Sequence, residues 1–119
     1  MSYSAEQFKL RTKKFALRVI RLFDSLPKQA ACQTIGRQLL RSGTSVGANY
    51  RAACRARSDA EFRSKMGIVE EESDESIYWM ELLIEAEYVQ QDLLDDLMTE
   101  ANEILAMTVQ SIKTSRNPN

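Results

Sequence analysis

The sequence predicts an all-α protein, an antiparallel up-down four-helix bundle. Three observations carry this. The 119 residues include only two prolines and four glycines. Apolar positions recur at alternating spacings of four and three, the seam of a helix bundle, and the period-2 alternation of a strand is absent. The segments are joined by short connections near residues 27, 57 and 90, which make chain neighbours antiparallel. The length is that of one domain able to bury a core without metal or disulfide staples. With 44% apolar and 28% charged residues, and no apolar run near the roughly 20 residues of a membrane span, a membrane protein is excluded. Residues 1–9 carry no apolar signal-peptide core, and the chain is expected to be cytoplasmic.

The first helix opens with Ser4-Ala5-Glu6-Gln7, a capping box in which Ser4 and Gln7 each satisfy a free amide of the first turn. Its seam is Phe8, Thr12, Phe15, Val19, Leu22 and Leu26, and Pro27 ends it. The second spans about 28–55. Ser42-Gly43-Thr44-Ser45 has the composition of a turn, yet Ile35, Leu39, Ser42, Val46, Asn49 and Ala53 keep the four-three spacing through it. One long helix, bent if anywhere at Gly43, is therefore expected rather than two short ones. The third opens with Ser58-Asp59-Ala60-Glu61, a second capping box, and runs to about Glu87 along Phe62, Met66, Val69, Ser73, Ser76, Met80 and Leu83. The fourth begins among Asp92, Asp95 and Asp96, carries Leu94, Leu97, Ala101, Ile104 and Thr108, and ends near Lys113, a cation suited to a helix C-terminus. The bundle is expected over residues 1–113 and a frayed polar tail over 114–119. Cys32 and Cys54, 22 positions apart on one helix, lie about 33 Å from each other, too far for a disulfide.

Small polar residues interrupt the seams. Ser42, Asn49, Ser73 and Ser76 are expected to form a buried polar layer, with the hydroxyls letting helices approach and Asn49 setting register. Gly36, Gly43 and Gly47 form a bare stripe within about 40° on the helical wheel, a close-packing face for a neighbouring helix or another subunit. GTSVG lacks the phosphate-loop pattern. The chain has no histidine, which removes the commonest general base and metal ligand. The acidic run at 70–75 has no partner group of different pKa to split acid and base roles. No catalytic residue, metal or cofactor is expected.

Charge is divided along the chain. Residues 1–65 hold 14 Lys and Arg against 4 Asp and Glu, and residues 66–119 hold 2 against 13. Arg37, Arg41, Arg51 and Arg55 share an outward face of the second helix, within about 80° and over about 27 Å. Arg11, Lys14, Arg18 and Arg21 share a stripe beside the first seam, and Glu70, Asp74, Glu81 and Glu85 form an acidic stripe on the third helix. Arginine favours bidentate recognition of phosphate or carboxylate.

The segments QLLRSGTSVGANYRAA (38–53), Glu61-Phe62 with Lys65, EEESDESIYWMELL (70–83) and SIKT (111–114) resemble the small four-helix-bundle proteins encoded in intervening sequences of bacterial 23S rRNA genes. The resemblance covers nearly the whole chain and places Arg41, Ser45, Asn49, Arg51, Lys65, Glu71 and Glu75 in the shared pattern. It implies a single bundle, a ring-like pentamer and no catalysis. A more distant similarity is to the pentameric accessory protein of diversity-generating retroelements, which implies work with nucleic acid and a protein partner. The residues themselves leave two functions open. One is a non-enzymatic oligomer that binds RNA or DNA through both arginine stripes. The other is a self-assembling scaffold whose basic and acidic faces pair between subunits.

Overall fold

The computed structural model describes residues 4–116. Four helices, α1 (Ala5–Ser25), α2 (Ala30–Cys54), α3 (Asp59–Glu85) and α4 (Gln91–Arg116), follow one another with no strand among the described residues. Each packs on its chain neighbours, and α1 closes loosely on α4. Among the described residues α1 does not touch α3, nor α2 touch α4, so these pairs lie across the bundle from each other. The body measures 49 × 25 × 20 Å.

α2 is continuous through Gly43. Its packing explains how a helix tolerates three glycines: at each, α1 or the residue that caps it comes so close that an added Cβ would make its neighbour give way, most stiffly at Gly43. A Cβ on Gly36 would stand 2.5 Å from Leu26 Cδ1, one on Gly43 2.9 Å from Val19 Cγ2, and one on Gly47 3.1 Å from Thr12 Oγ1. The glycine stripe is thus the seat of α1 within the same chain.

The expected seams are buried with few exceptions. On α1, Phe8, Thr12, Phe15, Val19 and Leu26 are buried and Leu22 half-buried, and on α3 the seam is buried apart from half-buried Phe62, with Ile77 added. On α4 the seam extends to Ile112. The α2 seam needs correction. Ile35 and Asn49 are only half-buried, whereas Cys32, Gly36, Gly43 and Tyr50 are buried. α2 touches α1 on one side and α3 on the other, so two overlapping four-three repeats are covered and the buried arc turns toward α1. Asn49 consequently leaves the polar layer, and its amide donates to the Ser45 carbonyl at 2.8 Å. Tyr50 takes the inner position, edge-on to Phe8 with centroids 4.6 Å apart.

The polar layer that remains is satisfied. Ser42 Oγ and Ser76 Oγ bond across the α2–α3 contact at 2.8 Å, and Ser73 Oγ donates to Val69 O. Thr12 and Thr108 are also buried and donate to carbonyls one turn back. These hydroxyls fill seam positions without leaving an orphan group.

Helix ends follow local chemistry with two deviations. Ser4 and Gln7 form the reciprocal box. Ser58 accepts from Glu61 N, but the Glu61 carboxylate takes the Arg57 amide instead of returning to Ser58, so the second box is half made. α3 ends two residues early, at Glu85, in a Schellman closure: Tyr88 N donates to Leu83 O and Glu87 N to Ile84 O. Glu87 sits at the left-handed position with φ 64°, a conformation that costs a residue with a Cβ about 1–2 kcal/mol. Glu87→Gly is expected to raise stability by about 1 kcal/mol, read as a higher urea midpoint at unchanged m-value; a lower midpoint would refute it. α4 continues through residues 114–116 of the expected tail, and residues 117–119 lie outside the described residues. Cys32 and Cys54 are both free thiols.

Candidate nucleic-acid interface

α2 presents Arg37, Arg41, Arg51 and Arg55 on its outer corner, all exposed. They point away from the core because the glycine and serine seams on the other side bind α1 and α3. The four are not equivalent. The Arg41 guanidinium donates to Glu72 Oε2 at 2.8 Å and to Glu75 on α3, and its Nε faces Gln38 Oε1. Arg37, Arg51 and Arg55 make no ion pair among the described residues.

The α1 stripe faces elsewhere. Arg11 is drawn into the α1–α4 seam, where Nε donates to Glu100 Oε2 at 2.6 Å, Nη2 to Glu100 Oε1 at 2.8 Å, and a further bond reaches Glu103. Arg18 and Arg21 line a cleft of about 710 Å³ at the end of that seam, beside Tyr88 and Leu93. Lys14 is exposed on the same side. Of the two expected stripes, Arg11 and Arg41 therefore serve the bundle, and the structure does not bring the stripes together on one surface.

What joins the α2 corner instead is Lys9 and Lys13, which sequence periodicity did not single out. With Arg51 they line a groove of about 530 Å³ between α1 and α2, over Ala16, Thr44, Gly47 and Ala48. Lys9 is shared with Glu6 at 3.1 Å. The clue available in the sequence was their closeness to the recognised stripe, Lys13 next to Lys14 and Lys9 two residues before Arg11; the clue lacking was which side of α1 faces α2.

The electrostatics of the Arg11 pair are specific. The hydrogen bonds from Arg11 hold the Glu100 carboxyl below its ordinary value of 4.5, against the opposing effect of burial, with Arg11 and Arg18 charges adding to the lowering. A lowered folded-state pKa contributes stability that is present above the unfolded pKa and lost as pH falls through the folded one. Side-chain exposures of 19% and 21% allow the charged hydrogen bonds about 2 kcal/mol. Glu100→Gln is expected to lose most of that at pH 7 and to flatten the fall in stability below about pH 4.5, measured by urea unfolding across the range; an unchanged acid limb would refute the assignment. Elsewhere, burial raises the Cys32 thiol. Burial first, then the hydrogen bond with Cys54, raises the Tyr50 phenol. Neither arrangement supplies a base. No group of three His, Cys, Asp or Glu among the described residues is placed to hold a metal ion, and no helix among them is long and apolar enough to cross a membrane.

The family model of the 23S rRNA-intervening sequence protein matches residues 7–110. The chain belongs to this family. The chain is also similar to a protein with unknown function from the S23 ribosomal protein family of Bacteroides thetaiotaomicron VPI-5482, whose crystal structure is 35% identical in sequence, with a TM-score of 0.86, covering 92% of this chain and 98% of that one. No curated protein matches. The match to the 23S rRNA-intervening sequence family takes in α1 from its first turn, all of α2 and α3, and most of α4, so the α2 arginines and the Arg11–Glu100 pair lie within the family domain.

Proposed function

We propose that this protein binds nucleic acid, structured RNA foremost, as a non-enzymatic homo-oligomer of the cytoplasm, with a pentamer the state the resemblance implies. The observation that carries the reading is the row of Arg37, Arg51 and Arg55, exposed and without ion pairs among the described residues over about 27 Å of α2. Such a row contacts several phosphates and reads little sequence. Lys9 and Lys13 extend it onto α1, and Lys14, Arg18 and Arg21 form a secondary patch. Repetition around an oligomer multiplies the contacts, while the acidic α3 and α4 repel the same polyanion and confine it to one face. The family description ties its members to a ribosomal RNA gene and makes structured RNA the first polyanion to try.

Mobility-shift titrations against structured RNA, single-stranded RNA and duplex DNA at two salt concentrations test the proposal. Binding at low salt that falls steeply at the higher concentration is expected; no binding to any of them at low salt would discard it. The scaffold reading, in which subunits pair through unlike faces, is favoured by one specific feature, the exposed apolar residues of α1. It is compatible with a basic α2 corner left free for RNA.

A further inference from the structure

The outward face of α1 carries a second four-three repeat: Glu6, Leu10, Lys13, Leu17, Ile20 and Asp24. Leu10 is 54% exposed, Leu17 44% and Ile20 39%, and Leu10 also borders the groove between α1 and α2. A second heptad seam on a helix that already has one is the signature of packing against another helix, and the bundle itself supplies none there, since α1 meets only α2 and α4.

The outward face of α3 has the same period and length: Gly67, Glu71, Asp74, Tyr78, Glu81 and Glu85. Both repeats span 18 residue steps, about 27 Å. Tyr78, 51% exposed, is its central apolar group, and a Cβ on Gly67 would meet nothing within 4 Å. Carboxylates surround Tyr78, whereas Lys13, Lys14 and Arg21 accompany the α1 leucines. The faces are complementary in charge, matched in length and each has an apolar centre.

Building on the homo-oligomer part of the proposed function, we infer that the α1 face of one protomer docks on the α3 face of a second copy. α1 and α3 lie across the bundle from each other and each of these faces is turned from the core, so one protomer uses the two with different neighbours. The contact is heterologous, closing into a ring where the rotation per subunit permits. It leaves Arg37, Arg51 and Arg55 on the outer corner of α2 free for nucleic acid, while Lys13, Lys14 and Arg21 face the acidic α3 of the neighbouring copy instead.

Complementation of single-face variants tests this. Leu10→Glu/Leu17→Glu places acids against the acidic α3 face, and Tyr78→Glu removes the apolar centre of the other face; all three positions are exposed, and helical circular dichroism checks that each variant folds. Light scattering is expected to show an oligomer for the unaltered chain, a protomer mass for each variant alone, and a dimer when the two variants are mixed, because one intact pair of faces remains. An unaltered chain that is monomeric at low salt overturns the homo-oligomer reading itself. An oligomeric chain whose folded variants keep its mass, or whose variants fail to combine, overturns only the α1–α3 contact.

Discussion

Replacing Gly43 by leucine is expected to cost the fold about 3 kcal/mol. The position lies mid-helix, where glycine is itself unfavourable by roughly 0.5–1 kcal/mol relative to alanine, so helix propensity alone predicts a gain. Packing reverses the sign. The missing Cβ would sit 2.9 and 3.0 Å from the two Val19 methyls and 3.2 Å from Val19 Cβ. Val19 is fully buried and β-branched, with no free rotamer to retreat into. α1 must then move away from α2, loosening the core to which Val19 belongs and adding lost burial to the overpacking cost of about 1–3 kcal/mol. Thermal unfolding is expected about 10 °C lower. Gly67→Ala is the control, since it supplies the propensity gain with open space around the new methyl. It is expected to stabilise by about 0.5–1 kcal/mol. A Gly43→Leu protein as stable as its parent would show that the α1–α2 approach is not close.

The second large effect is on nucleic-acid binding. Arg37→Glu/Arg51→Glu is expected to lower affinity about tenfold or more near 100 mM salt, because two phosphate contacts per engaged protomer become repulsions. The slope of log affinity against log salt should shrink by roughly 2 for each such protomer. Arg41→Gln separates the proposal from simple loss of positive charge. Its guanidinium already lies between Glu72 and Glu75, so binding should hardly change. With Arg41 48% exposed, stability should fall by no more than about 1 kcal/mol. If Arg41→Gln abolished binding while the double reversal did not, the phosphate contacts would lie on the α2–α3 side instead of the outer corner. Oligomer mass is measured alongside, so that a loss of assembly is not mistaken for a loss of contacts.

The legible part of this protein was the part governed by period and by neighbours in the chain. Phe8, Phe15, Val19, Met66, Met80, Leu94 and Ile104 announce their burial through spacing alone, because a helix that buries one face repeats it every three or four residues. Ser4 and Gln7 announce a cap because both partners lie within one turn. Glu87 was not legible: a left-handed helix terminator is recognised by glycine or asparagine, and a glutamate held there by two backbone bonds carries no such mark. Asn49, expected inside, yields the buried position to Tyr50 for a related reason. Both lie on a four-three repeat of α2, and the sequence does not say which repeat takes the deeper position.

The candidate interface divides along the same line. The sequence by itself determined that four arginines share a face of α2 and that the basic half of the chain stands against an acidic half. Only the tertiary structure decided that Arg11 closes on Glu100, 89 residues away, that Arg41 closes on Glu72, 31 residues away, and that Lys9 and Lys13 flank the α2 corner while Arg18 and Arg21 turn toward α4. A helical wheel fixes each side chain's angle about its own axis. Which helix, or which carboxylate, stands at that angle depends on how the four axes are arranged, and that arrangement follows from the close approach of Val19 to Gly43, Thr12 to Gly47 and Ser42 to Ser76.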